Sequence, residues 1–443
     1  MKRIGDILTR YKVAETVKDD VTYKQVTIGT NYKGVRLRGT KLGIEIGTKN
    51  QWLVKAGQFI LSRIDARNSA FGIIPDDLEG ALVTNDFMAY EVNEDEVNRD
   101  FFNVFLQSPQ FLEACIKASR GNTNRKRVQE EFFLNYEVNL PDIEHQRLLI
   151  QKIERAKAAM ATAESEIAHQ QSLLGKLKQA ILQEAIQGKL TEDWRKTTPD
   201  VEPASDLLQR IQAEKASLIA VKKICKEKPL PEITPEEIPF EIPEGWKWCR
   251  LGQIIEEKPR NGISLKPVDY VTDAKTLKLS ATSSGTFNGT ECKYLDLEVE
   301  EDSYLWLRDG DILIQRANSL ELVGTAAVYR GNEHEFIYPD LMMKCRAVFA
   351  VGTDYLHHVL TSRTTRDYFT RKATGSAGNM PKINQGTVIQ TLIPLPPLAE
   401  QVAIVERVEA LMTTCQALEA EIEHSRTHAA DLLQAVLKEA FSN

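Results

Sequence analysis

The chain has 443 residues, 42% of them hydrophobic and 27% charged, with a formal net charge of −7. That length exceeds what one hydrophobic core usually serves, which implies two or three domains. No apolar run approaches the ~18–20 residues a membrane helix needs, and "MKRIGDILTRYK" at the start has no apolar core of the signal-peptide kind. The expected compartment is therefore the cytoplasm. The six cysteines form no CxxC pair, which argues against structural disulfides and a zinc site.

The first block, residues 1–139, mixes β-branched and aromatic runs with Gly and Asn breaks, the pattern of a mixed α+β fold. Two of its stretches are basic and free of acids. "NYKGVRLRGTK" holds Lys33, Arg36, Arg38 and Lys41, and "SRGNTNRKR" holds Arg120, Asn124, Arg125, Lys126 and Arg127. Arg reads guanine edges and Asn reads adenine edges by paired hydrogen bonds, and Lys and Arg hold phosphates. A basic loop of this kind is either solvated surface or a nucleic-acid contact.

Residues 140–188 follow as a long helix. Its apolar positions include Leu149, Ile153, Met160, Ile167, Leu174, Leu177 and Ile181, in steps that alternate between three and four when Ala156, Ala163 and Gln170 are included. A 3.5-residue period is that of a coiled-coil seam. At ~1.5 Å per residue such a helix is roughly 60 Å long and needs a partner for its stripe. Residues 189–245 form a charged, Pro-rich linker with one short helix in "SDLLQRIQAEKASLIAVKKI". The rest of it should be extended and poorly packed.

The second block, residues 246–394, again reads as mixed α+β. "WLRDGDILIQR" at Trp306 resembles "WLVKAGQFILSR" at Trp52, and "RLGQII" at Arg250 resembles "RIGDIL" at Arg3. Its basic candidates are Arg363, Arg366, Arg371 and Lys372, then Asn379 and Lys382 in the loop "ATGSAGNMPK" and just beyond it. A second long helix fills 395–443. Its seam takes in Ile404, Val408, Leu411, Cys415, Leu418, Ile422, Leu432 and Val436, with Ser425 as the polar member where the first helix has Gln170. Such a polar residue either fixes register or is merely tolerated.

The two halves repeat at an offset of 255 residues without a gap. "LPDIEHQ" at Leu140 answers "LPPLAEQ" at Leu395, Gln146 meets Gln401, and Asn124 meets Asn379. A long-period repeat marks architecture. Two matched stripes in one chain suggest that the helices pair with each other; two separate homodimer seams are the alternative. The acidity sits mainly on helices and linker, with eight acids against three bases in 395–443. His424 and His428 share a helical face but lack an evident third ligand, so they read as solvated surface and no metal is expected. No GxxxxGK[ST], dinucleotide fingerprint, GxSxG or HExxH occurs, so the chain reads as non-catalytic.

"IPEGWKWCRLGQI" before the second block, "PLPPLAEQVAIVERVE" after it and "LLGKLKQAILQEAIQGKLTEDWR" between the blocks resemble specificity subunits of type I restriction–modification systems. The resemblance covers nearly the whole chain; the first block lacks the "PEGW" lead-in. It implies two target-recognition domains joined by two helices that pair as an antiparallel intramolecular coiled coil and act as a ruler. Each domain would read half of a split double-stranded DNA site. Two modification subunits would dock around the helices, bind S-adenosylmethionine and methylate adenine N6. Restriction subunits would add ATP- and Mg-dependent translocation and cleavage, with no cofactor in this chain. The competing class is a non-catalytic coiled-coil scaffold with two protein-binding heads.

Overall fold

A computed structural model describes residues 1–121, 126–221, 228–375 and 380–440 of the chain. It divides into two compact units: Met1–Ile167 with His424–Asn443, and Ala168–Glu423. Among the described residues, no helix is long and apolar enough to cross a membrane.

Unit 1 is built on a four-stranded antiparallel sheet in the order Leu8–Tyr11, Phe87–Val92, Phe59–Ser62, Phe71–Ile73. The strand Phe59–Ser62 reads "FILS" and is buried on both faces, which is why it shows an apolar run rather than alternation. Helices Arg99–Phe105 and Pro109–Lys117 cover the sheet. Each begins at a side-chain cap that accepts a backbone N–H: Asn98 from Phe101, and Ser108 from Phe111. Phe59, Phe71, Phe102 and Phe111 meet edge-to-face, with the Phe71 and Phe111 centroids 5.0 Å apart. A second sheet of five strands follows the order Val13–Thr16, Asn50–Leu53, Leu82–Val83, Thr22–Ile28, Val35–Leu42.

Unit 2 repeats the first sheet with the same strand order: Arg260–Asn261, Met342–Cys345, Ile312–Gln315, Ala326–Val328. The central strand, "ILIQ", is again buried throughout, and helices Thr353–Thr361 and Arg363–Lys372 take the covering positions. A short helix, Glu130–Leu134 in unit 1 and Gln385–Ile389 in unit 2, then leads to a closing strand, Glu137–Val138 or Leu392–Leu395. The mixed α+β expectation holds for both blocks. In place of a five-stranded sheet, unit 2 adds the hairpin Ala274–Leu277 with Cys292–Leu295.

The long helices are Ile143–Ile186 and Leu398–Ala440. In unit 2 they run antiparallel. Lys178 Nζ lies 2.8 Å from Glu419 Oε1, while Thr191, just past the first helix, donates at 2.7 Å to Glu400 at the start of the second. Leu174 and Ile181 share one core with Ile404, Val408 and Cys415, and Leu411 and Ile422 are partly buried against it. In unit 1, Met160, Glu164 and Ile167 line one small groove with Arg426. Leu149 packs against the unit 1 core, and Ile153 is buried. Val436 is half-buried.

Three seam positions differ from the expectation: Leu177, Leu418 and Leu432 are 45%, 46% and 55% exposed. An α-helix turns every 3.6 residues, so a strict 3.5 spacing drifts around it. After Leu174 the inward side is taken by half-buried Lys178, then Ile181 and Ala185; after Cys415 it is taken by Ile422, with exposed Glu419 meeting Lys178 at the rim. Gln170 and Ser425 are both exposed.

The linker is also better packed than its composition suggests. In the helix Ala204–Ala220, residues Ala204, Leu207, Leu208 and Ile211 lie in the core of unit 2. The Pro-rich stretch beyond is pinned by buried Arg250, which donates to the carbonyls of Pro231, Glu232 and Gln390 and pairs with Glu237 at 2.9 Å. Extended Pro-rich backbone leaves its carbonyls without internal partners, and here one guanidinium takes up two of them.

Candidate nucleic-acid interface

The repeat begins at a glutamine with a defined task. Gln146 Oε1 accepts the backbone N–H of Asn98 at 2.8 Å, and its Nε2 donates to Pro141 O at 2.8 Å. Gln401 makes the same pair of bonds, to Gly352 N at 2.8 Å and Pro396 O at 3.1 Å. Both amides are buried, so each needs these partners. Each ties the first turn of a long helix to the residue that precedes the covering helices of its own unit.

The basic loops are also placed alike. In unit 1, Arg63 at the end of the central strand accepts Val128 N at 2.8 Å and donates its own N–H to Asp86 O at 2.7 Å. In unit 2, Arg316 accepts Ile383 N at 2.9 Å and donates to Leu341 O at 2.8 Å. Val128 and Ile383, and likewise Asp86 and Leu341, are separated by the repeat offset of 255. Each loop therefore hangs from the same strand end. Arg63 and Arg316, both half-buried, were missed by the sequence reading. The signal was present in "SR" and "QR", which close the two matched strand runs.

In unit 1, Arg120 and Lys126 are exposed, and the Arg120 guanidinium lies 4.8 Å from the Phe132 ring centroid. Arg127 pairs with Asp86 at 3.2 Å. Lys33, Arg36 and Arg38 are exposed on the hairpin Thr22–Ile28 with Val35–Leu42. The tip of that hairpin is tied to Asn68 by a 2.8 Å bond from Asn31 N. Hairpin and loop thus meet opposite ends of one turn, residues 63–68. Asn124, Arg125 and Asn379 lie outside the described residues.

Unit 2 groups its candidates less tightly. Arg363 is exposed and 3.7 Å from Asp367 on its own helix. Arg371 and Lys372 are exposed in the last turn of that helix. Lys382 presents an exposed side chain while its backbone exchanges two 2.9 Å bonds with Thr374. Arg366 is the exception. Its guanidinium donates to Val323 O at 2.6 Å and Glu321 O at 2.7 Å, bracing the turn after the central strand. Burial lowers its pKa. This arginine is engaged by backbone carbonyls, which sequence cannot display, so it is not available as a free contact. His424 and His428 are exposed, with ring centroids 6.3 Å apart.

Fold and interface together describe a chain with two similar α+β units, each presenting a basic loop from the same corner of its sheet. The model of the type I restriction modification DNA specificity domain matches residues 1–168 and 243–425, and the chain belongs to that family. It is 26% identical over 386 residues to the specificity subunit of the type I restriction enzyme EcoEI of Escherichia coli, a match over 76% of this chain and 64% of that protein. The EcoAI specificity subunit of the same species is 29% identical over 388 residues, with the same coverage. The matches thus span 64% of the length of these curated relatives. Among solved structures, the HsdS subunit from Thermoanaerobacter tengcongensis superposes with a TM-score of 0.50 at 17% identity, covering 99% of this chain and 95% of that one. A chain from a study of complex assembly and conformational transition of the type I R-M system gives 0.54 at 16% identity, covering 99% and 96%. These two likenesses concern the fold.

Proposed function

We propose that this chain is the DNA sequence-recognition subunit of a cytoplasmic type I restriction–modification complex. Residues 1–139 and 246–394 act as target-recognition domains, each reading one half of a bipartite duplex site. The long helices, 140–188 and 395–443, set the unread spacer between the half-sites. Lys33, Arg36, Arg38, Arg120, Asn124, Arg125, Lys126 and Arg127 serve the first half-site, and Arg363, Arg371, Lys372, Asn379 and Lys382 the second. The chain performs no chemistry. Two modification subunits carry S-adenosylmethionine and methylate adenine at N6, and restriction subunits carry ATP and Mg.

The observation that supports this reading is the matched suspension of a basic loop from Arg63 and from Arg316. A scaffold with two protein-binding heads gives no reason for that chemistry to recur at one corner of both sheets. Duplex DNA does, because its two half-sites offer chemically equivalent surfaces.

The test is base-resolution adenine methylation of plasmid from cells that co-express this chain with its methyltransferase partner. The expected result is a split motif, two short half-sites around a fixed gap. Methylation with no gapped motif, by a partner shown to be active with another specificity chain, would overturn the proposal.

A further inference from the structure

Val35–Leu42 is an eight-residue edge strand in which no residue is buried. Strands are normally held by burying at least one face. Here Arg36, Leu37, Arg38, Lys41 and Leu42 are all exposed. Its partner strand, Thr22–Ile28, is anchored by buried Tyr23 and Val26. The tip is pinned as well. Asn31 N donates to Asn68 O, Tyr32 meets Phe71 edge-on at 5.8 Å, and Val35 crosses closely over Gly72. A Cβ at Gly72 would lie 3.2 Å from the Val35 side chain. The ribbon is therefore held at base and tip while both faces of its outer strand meet solvent.

Its charge is one-sided. Lys24, Lys33, Arg36, Arg38 and Lys41 stand in residues 22–42 with no acid. Among the described residues, none of Lys33, Arg36, Arg38 and Lys41 forms an ion pair. The pairing slips between Gln25 and Val26, whose partners are Gly39 and Leu37, so Arg38 is the extra residue of a β-bulge. Bulges re-aim side chains next to functional sites. Cations also guard edge strands against unwanted pairing, but that role explains neither the pinned tip nor a strand with no buried face. The stretch 35–42 carries no Asn, Gln, Asp or Glu for adenine or cytosine edges; its unpaired cations suit phosphate, and guanine reading by Arg is the outcome that the test below separates. Among the described residues, unit 2 has no like element: its own added hairpin joins Lys278 to Glu291 at 3.5 Å.

We infer that the ribbon Thr22–Leu42 is a phosphate clamp, with Arg36 and Arg38 gripping the DNA sugar–phosphate backbone beside the first half-site. This rests on the DNA-recognition reading above. It makes the hold on the two half-sites unequal: the first is gripped through an additional sequence-independent contact, the second is not.

The experiment uses the full chain assembled with its methyltransferase partner and a duplex carrying the mapped motif. Affinity is measured from 50 to 200 mM KCl. Each neutralised phosphate contributes about −0.9 to the slope of log K against log salt. Arg36→Gln with Arg38→Gln should flatten the slope by about 1.8, so that the unaltered complex loses about tenfold more affinity over this range than the variant. Arg36→Lys with Arg38→Lys should keep the slope, because phosphate needs charge rather than the guanidinium fork. Base preference in both half-sites should stay the same. An unchanged slope overturns the clamp. So does altered base preference in the first half-site that Lys does not restore, which marks base reading instead. If the unaltered complex shows no duplex selectivity, the recognition reading itself has failed, a result separable from both.

Discussion

Unit 1 and unit 2 share a sheet, a pair of covering helices, a hinge glutamine and a loop hung from one strand end. They differ in what is laid around that frame. Unit 1 adds a five-stranded sheet that ends in an exposed basic ribbon. Unit 2 is wrapped by the linker, whose helix enters its core and whose extended stretch is held by Arg250. The common part is what a fold needs in order to present a loop; the unshared part is where the two units can differ in what they hold. The clearest single contrast lies at one repeat position. Glu400 in unit 2 is buried and accepts from Thr191, Arg195 and Trp246 at 2.6–2.7 Å, whereas its counterpart in unit 1 is exposed His145.

That contrast yields the largest expected effect. Glu400→Ala should destabilise unit 2 by ~3–5 kcal/mol, because it strands a partly buried guanidinium and a buried indole N–H. His145→Ala, at a solvated position, should change unit 1 by no more than ~0.5 kcal/mol. Hydrogen exchange resolved by unit in the intact chain would report both. Equal effects would mean that the linker does not brace unit 2 as its contacts imply.

A second difference is sensitive to pH. Burial pushes the His358 imidazole down to about 4, with neighbouring His357 adding to the shift and Asp354 opposing it. Its Nε2 is buried without a hydrogen-bond partner. His357 is likewise lowered by burial, and its Nε2 donates to Gly285 O and Ala326 O. Both rings are therefore neutral in the fold near neutral pH. In the unfolded chain a histidine takes up its proton near pH 6.5. The stabilising contribution is complete above that value and is lost as pH falls toward 4, by at most ~3 kcal/mol for His358. Counted from the helix caps Asn98 and Gly352, the matching position in unit 1 is Val104. His358→Val should flatten the loss of unit 2 stability between pH 6.5 and 4 in urea titrations. A pH dependence as steep as before would show that the acid sensitivity lies elsewhere.

The sequence displayed features that recur at fixed spacing. The offset of 255 exposed both long helices, the hinge glutamines and the matched loops, because each depends on a local pattern written twice. Features made by unlike partners stayed hidden. Linker prolines and acids read as solvated text, since nothing local shows that Arg250 will collect carbonyls from Pro231, Glu232 and Gln390. Arg366 carried the composition of a surface contact until its two backbone acceptors were visible. The basic residues of 33–41 were legible as a cluster. Their place on a strand with no buried face was not, because burial belongs to the tertiary arrangement. Arg63 and Arg316 end two similar apolar runs, and their role rests on backbone bonds to Val128 and Ile383, which side-chain identity does not display.

The helix seam supplies the smallest and sharpest test. A strict heptad makes Leu177 and Leu418 core residues, and their loss would then cost ~2–5 kcal/mol, as buried leucines do. The structure instead half-buries Lys178 at this level and joins it at 2.8 Å to Glu419, whose side chain is 55% exposed. The aliphatic stem of Lys178 covers the seam while its ammonium meets the exposed Glu419 carboxylate at the edge. Leu177→Gln and Leu418→Gln should therefore each shift unfolding by no more than ~0.5 kcal/mol, while Leu174→Ala, at a buried position in the same helix, costs several-fold more. A loss at Leu177 as large as at Leu174 would restore the 3.5-residue register through this stretch and dismiss the slip. The expected neutrality would instead fix the slip as the point where the straight α-helix, rather than the sequence repeat, decides which side chains meet.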